Sequence, residues 1–269
     1  MRLALVVEYD GTAYSGFQHQ AKAPSVQQQL ERAINNLTGE FVRVKGAGRT
    51  DAGVHALGQV VAFDTSSRHG LATFQKALNH YLPADISVKW VGAAPDDFDP
   101  RRHARSRRYR YVIYCAAARS PLLRRITHHV SARLDVGAMR TGAAMFEGVH
   151  DFAGFAAPLA RRDASTVREV FEAGVVTQPP LLTFEVEGNA FLPHQVRRMA
   201  GALVDVGLGK ITPVQLKAMI DRTPVDCVAR ALPPEGLCLI RVNYDDFRLK
   251  VGETDGNEHT SALDTGLGR

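Results

Sequence analysis

The order in which strands and helices follow one another constrains the fold of this chain most. Apolar residues that alternate with polar ones mark strands, and apolar residues at three- and four-residue spacing mark helices. The first half gives strand, helix, strand, strand, helix and strand, at residues 2–9, 25–39, 41–45, 59–64, 71–82 and 86–91. Ser25 is the expected N-cap of the first helix, in a capping box with Gln28, and Gly39 ends that helix. This β-α-β-β-α-β order is that of a ferredoxin-like unit.

The second half of the chain repeats this order without any residue-level repeat of the sequence. Its segments are a strand at 109–114, a helix at 135–146, strands at 167–176 and 182–187, a helix around 196–204, a short extra helix opened by Thr212 and Pro213, and a strand at 237–244. We therefore predict an α+β fold of two ferredoxin-like halves, residues 1–105 and 106–247. Together they would form a mainly antiparallel sheet with helices on one side and a cleft between the halves. Residues 248–269 are predicted to be a disordered tail.

Composition and charge exclude several classes of protein. With 269 residues, 45% hydrophobic content and a net charge of +5, the bulk of the chain is expected to fold. No apolar run approaches the ~18 residues of a membrane span, and the N-terminus reaches Glu8 too early for a signal peptide. Cys115, Cys227 and Cys238 lack the spacing of metal ligands. We predict a cytoplasmic protein without disulfide, metal, cofactor or membrane association.

Arginine is concentrated in one segment of the chain. Residues 101–134 hold ten arginines and no acidic residue: Arg101, Arg102, Arg105, Arg107, Arg108, Arg110, Arg119, Arg124, Arg125 and Arg133. Such a concentration is typical of proteins that bind a phosphate backbone, because the planar guanidinium donates two parallel hydrogen bonds. A solvated basic surface explains the charge equally well.

Two tyrosines interleave with these arginines in one predicted strand. Tyr109 and Tyr111 share one face of the strand, whereas Arg108 and Arg110 share the other. Sheets of this kind bind RNA by stacking unpaired bases on aromatic rings. The alternative interpretation is that the tyrosines face the core, and it holds for at least one of the two.

The most unusual stretch is a glycine-rich loop between two predicted strands. It reads GAGRTDAGVH at 46–55, with Asp51 in place of the third glycine of a dinucleotide fingerprint and no helix directly after it. Dinucleotide binding is therefore excluded. Asp51 is a candidate nucleophile or general base, and the alternative is that it only stabilises the turn. Arg49 is a partner of Asp51, a phosphate contact or a probe that enters a base stack.

Two further segments carry polar and aromatic side chains. The loop after the first strand begins at Asp10 and Gly11, and it is either functional or simply a tight turn. Residues 191–198 place Arg197 in the first turn of an amphipathic helix, where a cation opposes the helix dipole. Because Arg197 flanks the apolar stripe, it either reaches a buried carboxylate or is solvated.

Taken together, these motifs resemble the tRNA pseudouridine synthase A family. The run GRTDAGVHA at 48–56, preceded by YDG at 9–11 and followed by RYRY at 108–111, matches the family in order and spacing. The likeness extends from about residue 2 to residue 244. It implies a homodimer that isomerises uridine to pseudouridine at positions 38–40 of the tRNA anticodon stem-loop, without metal or cofactor. It also implies the duplicated ferredoxin-like fold.

The resemblance assigns roles to four residues. Asp51 corresponds to the family's catalytic nucleophile, and Tyr109 to the tyrosine that stacks on the target base. Arg197 corresponds to the arginine that pairs with the aspartate and keeps it ionised, and Arg49 to one implicated in displacing the target nucleotide. Asp51 from the first half must then meet Tyr109 and Arg197 from the second, in an RNA-binding cleft between the halves.

The chain departs from the family pattern at Phe17, Gln195 and Arg198, where tryptophan, methionine and asparagine are usual. It also lacks the arginine that often follows the second phenylalanine of the segment at 151–156, where Ala156 stands. We expect these changes to affect the grip on tRNA or the range of sites rather than the chemistry. Two other classes remain as alternatives. A non-catalytic RNA-binding protein would leave Asp51 unexplained, and a hydrolase with Asp51 as nucleophile on a small substrate would leave the arginine segment without a purpose.

Overall fold

The computed structural model describes residues 1–158, 164–223, 226 and 229–245, which form one mixed α/β body around a mainly antiparallel open sheet. The strands are β1 Arg2–Tyr9, β2 Lys45–Gly46, β3 His55–Asp64, β4 Ile86–Ala94, β5 Ala104–Cys115, β6 His128–Val130, β7 Gly148–Asp151, β8 Val167–Gln178, β9 Leu181–Gly188 and β10 Leu237–Tyr244. The helices are α1 Val26–Thr38, α2 Leu71–Tyr81, α3 Val136–Ala144, α4 Gln195–Gly207 and α5 Pro213–Ile220. The predicted tail at 248–269 and Cys227 lie outside the described residues. No helix in the described part of the chain is long and apolar enough to cross a membrane.

The sheet brings distant parts of the chain together at its centre. Its strand order is β4-β1-β3-β10-β5-β9-β8-β7, with β2 paired to β3 and β6 to β5. The pairing of β3 with β10 is parallel and short, with Ala56 opposite Leu239. Leu239 in turn pairs with Tyr109 of β5. The start of β3, just after the glycine-rich loop, therefore lies two strands from Tyr109.

The main core lies between the helices and one face of the sheet. Leu3, Leu5 and Val7 of β1 are fully buried on this face. They share one apolar cluster with residues from α1, α2, α3, α4 and α5, among them Leu30, Phe74, Met139, Met199 and Leu216. Burial of each such large side chain stabilises the fold by about 1.5–3 kcal/mol. Ala4 and Val6 point the other way, into a smaller cluster that includes Phe98.

The helix ends follow the predicted caps. Ser25 accepts a hydrogen bond from the Gln28 N–H, and Gly39 ends α1 in the left-handed conformation with φ 75°. The predicted capping box is only half formed, because the Gln28 side chain does not return a bond to the Ser25 N–H. Asp135 caps α3 in the same way through Ala138, and Thr212 opens α5 with a full capping box. These bonds satisfy backbone N–H groups that a helix leaves free in its first turn.

The strand predicted at 41–45 is wrong in extent, since β2 has only two residues. The backbone of this segment bonds to helix side chains instead of a neighbouring strand. The Val44 N–H donates to the Glu31 carboxylate, and the Val44 carbonyl accepts from Gln27. By contrast, β3 begins four residues earlier than predicted. Gly58 allows this extension, because an added Cβ would lie 2.5 Å from the Ile240 carbonyl oxygen of β10. The short strands β6 and β7 were not predicted.

The predicted alternation along β5 is confirmed. Tyr109 and Tyr111 are buried on the core side, and Tyr111 donates a hydrogen bond to the Pro233 carbonyl at 2.7 Å. On the opposite face, Arg108 and Arg110 both pair with Glu185 of β9, at 2.6 and 2.8 Å. Burial alone would raise the pKa of Glu185, but these guanidinium groups hold it below its ordinary value. The two arginines therefore form ion pairs within the sheet, and the interpretation that they bind a phosphate backbone does not apply to them in this structure.

Candidate active site

The glycine-rich loop at 46–54 connects β2 to β3 and presents Asp51 at its tip. The loop is fixed at its start by the Ala47 N–H, which donates to the Val60 carbonyl at 2.8 Å. The turn after Asp51 is closed by a bond from the Val54 N–H to the Asp51 carbonyl at 3.2 Å. Gly53 has φ 78° in this turn, a conformation that favours glycine. The Asp51 carboxylate makes no bond within the turn, so the turn-stabilising alternative for its side chain does not hold.

The loop after β1 holds the Asp51 loop in place. The Phe17 N–H donates to the Thr50 carbonyl, and the Gly53 N–H donates to the Tyr14 carbonyl, both at 3.2 Å. The Gly11 N–H donates to Nδ1 of His55 at 3.1 Å, at the other end of the Asp51 loop. The sequence left open whether this first loop is functional or a tight turn. Its contacts make it the support of the Asp51 loop.

At Gly11 the loop after β1 packs directly against the backbone of the Asp51 loop. A Cβ built at this position would lie 2.0 Å from the Val54 carbonyl oxygen, a distance no real side chain adopts. The obstacle is backbone, so it cannot move aside by a change of rotamer. Glycine is therefore required here by close approach rather than by its φ angle.

Replacing Gly11 with alanine is expected to displace the Asp51 loop and lower kcat by about 10²-fold, because small misplacements of catalytic groups have effects of this size. We also expect a loss of about 1–3 kcal/mol in the free energy of unfolding from overpacking. Steady-state kinetics and urea denaturation measure the two effects. Gly174→Ala is the matched control, since nothing lies within 4 Å of a Cβ there. Equal kinetics for the two variants would contradict the supporting role of the loop.

Arg197 meets Asp51 across 146 residues of sequence. Its Nη1 lies 3.2 Å from Oδ2 of Asp51, and its Nε donates to the Leu232 carbonyl at 2.7 Å. The guanidinium is thus held from two sides, with 14% of its side chain exposed. Its position in the first turn of α4, unfavourable for the helix dipole, is explained by this ion pair. Of the two interpretations of Arg197, the contact to a partly buried carboxylate is the one observed.

His194 is a neighbour of Asp51 that sequence reasoning missed. Its Nε2 lies 3.7 Å from the same Oδ2 atom that Arg197 contacts. His194 occupies the N-cap position of α4 with φ 62°, and its side chain forms no capping bond. The only local signal in the sequence is its place three residues before Arg197.

Tyr109 lines the same space from β5. Its ring packs edge-on against Phe191, with ring centroids 5.3 Å apart. The hydroxyl oxygen lies 3.8 Å from a Cβ built at Gly48, so the glycine-rich loop passes directly over it. Burial raises the pKa of the Tyr109 hydroxyl, which therefore stays protonated. The hydroxyl makes no hydrogen bond to the part of the chain that the structure describes, and it remains available as a donor.

These side chains surround a cavity of about 320 Å³. It is lined by the glycine-rich loop, Tyr109, residues 190–196 and Leu237, together with four arginines, Arg49, Arg101, Arg107 and Arg168. Arg107 is buried and donates to backbone carbonyls, including that of Ala47 at 3.0 Å. Arg49 is exposed and forms no ion pair or hydrogen bond with the described residues. It does not pair with Asp51, so one of its three predicted roles is removed.

Three residues that depart from the family pattern, Phe17, Gln195 and Arg198, make local packing or hydrogen-bond contacts. Phe17 is buried and packs near Tyr9, with ring centroids 6.4 Å apart. Gln195 is buried at the start of α4, where its Oε1 accepts from the Leu192 N–H at 2.8 Å. Arg198 donates to the Ala229 carbonyl at 2.7 Å. None of these three contacts involves Asp51.

Known proteins provide an independent comparison. The tRNA pseudouridine synthase family model matches residues 5–101 and 143–245 of this chain. A tRNA pseudouridine synthase A of Geotalea uraniireducens is 41% identical over 246 residues, which cover 90% of this chain and 99% of the relative. A protein of the same name from Acetivibrio thermocellus is 42% identical over 240 residues, 89% of this chain and 98% of the relative. A third, from Shewanella sediminis, is 40% identical over 91% of this chain and 94% of its own length.

The family match covers well over half of the chain, and it includes the loop with Asp51, the first turn of α4 and the last strand. The relatives are similar over nearly their whole length, so the likeness is not confined to one motif. The chain belongs to the tRNA pseudouridine synthase family and is an isomerase that acts on tRNA.

Proposed function

We propose that this enzyme converts uridine to pseudouridine at positions 38–40 of the tRNA anticodon stem-loop, with Asp51 as the nucleophile. The observation that carries the proposal is the 3.2 Å ion pair between Asp51 and Arg197 at the wall of the cavity. The resemblance in sequence supports the choice of site on the tRNA. A non-catalytic RNA-binding protein would have no use for a carboxylate held in this way.

The reaction breaks the C1′–N1 bond of uridine and forms a C1′–C5 bond. The C5 hydrogen leaves as a proton and N1 gains one, so neither oxidation nor reduction takes place. An aspartate nucleophile acts only as the anion, and the guanidinium of Arg197 lies 3.2 Å from Oδ2 as its counter-ion. Asp51 attacks either C1′ or C6, or removes a ribose proton, and the same ion pair serves each route.

In this proposal Arg49 displaces the target uridine from the base stack, and Tyr109 stacks on its uracil. A uridine within a stem must leave the base stack before its C1′ and C5 atoms are accessible. Arg49 is exposed at the edge of the cavity and has no partner among the described residues, so it can enter the space that the uridine vacates. The Tyr109 ring, held by Phe191, offers a rigid surface on which the displaced uracil can stack.

We propose further that the chain divides at about residue 105 into two ferredoxin-like halves, with the RNA-binding cleft between them. The sheet order supports this, because β1 lies between β3 and β4, and β5 lies between β9 and β10. The first strand of each half is then central, and the short β3–β10 pairing joins the halves. Asp51 comes from the first half, and Tyr109 and Arg197 from the second. A homodimeric, cytoplasmic enzyme is part of the same proposal and follows from the family resemblance.

The site on the tRNA is tested with transcripts that differ only at positions 38–40. An unmodified tRNA with uridine at one of these positions is expected to gain one pseudouridine there, located by carbodiimide modification and primer extension. The same tRNA with cytidine at positions 38–40 is expected to gain none. Pseudouridine at another position in the second transcript would overturn the proposed site while leaving the activity intact.

A separate prediction concerns tRNA binding by the exposed arginines of the cavity. Arg101 is exposed, and its side chain pairs with no described residue, so it is free to contact phosphate. Arg101→Gln is expected to weaken tRNA binding and to lower the slope of log Kd against log salt by about 0.7–0.9, the value for one lost phosphate contact. Fluorescence titrations at several salt concentrations measure this slope.

Arg32→Gln on α1 is the matched control for Arg101, because Arg32 is also exposed and lies outside the cavity lining. We expect its slope to equal that of the wild type. If Arg101→Gln and Arg32→Gln changed the slope equally, the basic cavity would not be the place where RNA phosphate is bound.

A further inference from the structure

His194 is held in an unusual backbone conformation beside the candidate nucleophile. Its φ of 62° and ψ of 1° lie in the left-handed region, which only a few per cent of non-glycine residues adopt, asparagine, aspartate and histidine most often among them. The carbonyl of His194 accepts from the Arg198 N–H and so begins α4, but its side chain caps nothing. The imidazole is 38% exposed and is not part of the core. Neither helix capping nor packing therefore accounts for the histidine side chain.

The imidazole contacts one particular oxygen of Asp51. His194 Nε2 lies 3.7 Å from Oδ2, and Arg197 Nη1 lies 3.2 Å from the same atom. Both side chains come from the first turn of α4 and its cap. Oδ1 has no hydrogen bond to the described residues, so the two oxygens of the carboxylate are in different environments.

We propose that His194 is a positioning residue for Asp51: its imidazolium, together with the guanidinium of Arg197, holds Oδ2 so that Oδ1 faces the substrate. This inference rests on the proposed role of Asp51 as nucleophile. At 3.7 Å the contact with Oδ2 is electrostatic rather than a hydrogen bond, and an imidazolium at this distance places a second positive charge beside the ion pair.

The charged and titratable groups that face His194 decide how a pH-dependent change in rate is interpreted. Histidine ordinarily changes its charge near neutral pH. Besides Asp51 and Arg197, the titratable groups that face it across the cavity are Tyr109 and four arginines, Arg49, Arg101, Arg107 and Arg168. The arginines keep their charge, and burial raises the pKa of Tyr109 further above its ordinary value, which is already alkaline. A change in rate near neutrality that depends on residue 194 would therefore belong to its imidazole.

The experiment compares His194→Gly and His194→Gln with the wild type in single-turnover tritium release from tRNA labelled at uridine C5, from pH 6 to pH 8.5. Glycine fits the left-handed backbone without strain, so it removes the imidazole without disturbing the start of α4. Glutamine keeps an uncharged donor. We expect His194→Gly to be about tenfold slower than the wild type at pH 6 and within about twofold at pH 8.5. His194→Gln should lie between them and show no pH dependence beyond that of His194→Gly.

Each variant is first checked for thermal unfolding and for tRNA affinity, both of which should match the wild type. The inference is overturned if His194→Gly is as fast as the wild type at pH 6, or slower by the same factor at every pH. An effect on tRNA affinity alone would also overturn it. If the wild type itself releases no tritium, the proposed function fails instead, so the two failures are distinguishable.

Discussion

Replacing Asp51 with asparagine is expected to abolish pseudouridine formation, with a loss of at least ~10⁴-fold in the single-turnover rate. The amide has almost the same shape as the carboxylate but lacks an anionic oxygen to act as nucleophile or base. The turn depends on the Asp51 backbone carbonyl, which the substitution retains. Fold and tRNA affinity should therefore stay close to those of the wild type. The pseudouridine content of the tRNA, measured by nucleoside chromatography after digestion, gives the rate.

Asp64→Asn is the matched control for this prediction. Asp64 is also paired with an arginine, Arg2 at 2.8 Å, but it lies at the far end of β3 with 69% of its side chain exposed. We expect this variant to keep the activity of the wild type. A rate for Asp51→Asn within tenfold of the control would mean that another group performs the chemistry.

Replacing Arg197 with glutamine is the second prediction with a large effect. Removal of one partner from a buried ion pair costs about 3–5 kcal/mol, which corresponds to about 10²–10³-fold or more in rate when the pair is catalytic. Asp51 is 28% exposed, and solvent screens part of this loss, so we expect about 10²-fold in kcat. Arg197→Lys keeps the charge but loses the fork that contacts Asp51 and the Leu232 carbonyl together. It should recover only part of the rate.

Arg198→Gln separates the ion pair from general damage to α4. Arg198 follows Arg197 in the same helical turn, and its side chain bonds only to the Ala229 carbonyl among the described residues. Its loss should change stability more than kcat. If Arg197→Gln altered KM and left kcat unchanged, Arg197 would bind substrate rather than hold the Asp51 carboxylate in place.

Local structure was predictable where its cause is local. Ser25 and Gly39 bound α1 because a side-chain cap and a left-handed glycine act within a few residues. The alternation of Tyr109 with its arginine neighbours follows from the two-residue period of a strand. The strand prediction at 41–45 was wrong in extent, because the backbone of Val44 bonds to the side chains of Glu31 and Gln27 on α1 rather than to a neighbouring strand. No pattern within that segment carries this information.

Parts of the candidate site were also visible in the sequence. The glycines around Asp51 indicate a functional loop, and the position of Arg197 at the unfavourable end of a helix dipole indicates a role other than helix stability. Tyr109 and Tyr111 were equivalent in pattern, yet one lines the cavity and the other bonds to Pro233. The two tyrosines differ only in their tertiary surroundings, which depend on how the glycine-rich loop packs on the sheet. His194 was missed because its significance lies in a backbone angle that no residue type specifies.

The charge of the arginine segment illustrates the same limit. Its ten arginines lie within 34 residues, but Arg108 and Arg110 both pair with Glu185 on another strand, and Arg108 also pairs with Glu172 and Glu187. Arg107 is buried and bonds to backbone carbonyls, whereas Arg101 remains exposed at the cavity. Net charge along a sequence therefore overestimates the charge available to RNA, and pairing across the sheet decides which arginines remain.

The most direct test of the central claim is tritium release from unmodified tRNA labelled at uridine C5, measured in parallel for the wild type and Asp51→Asn. Isomerisation must remove the C5 hydrogen, so release to water reports the reaction itself. The wild type is expected to release tritium in step with pseudouridine formation, and Asp51→Asn none above background while still binding the tRNA. Equal release by both proteins, or none by a wild type that binds tRNA tightly, would contradict the account.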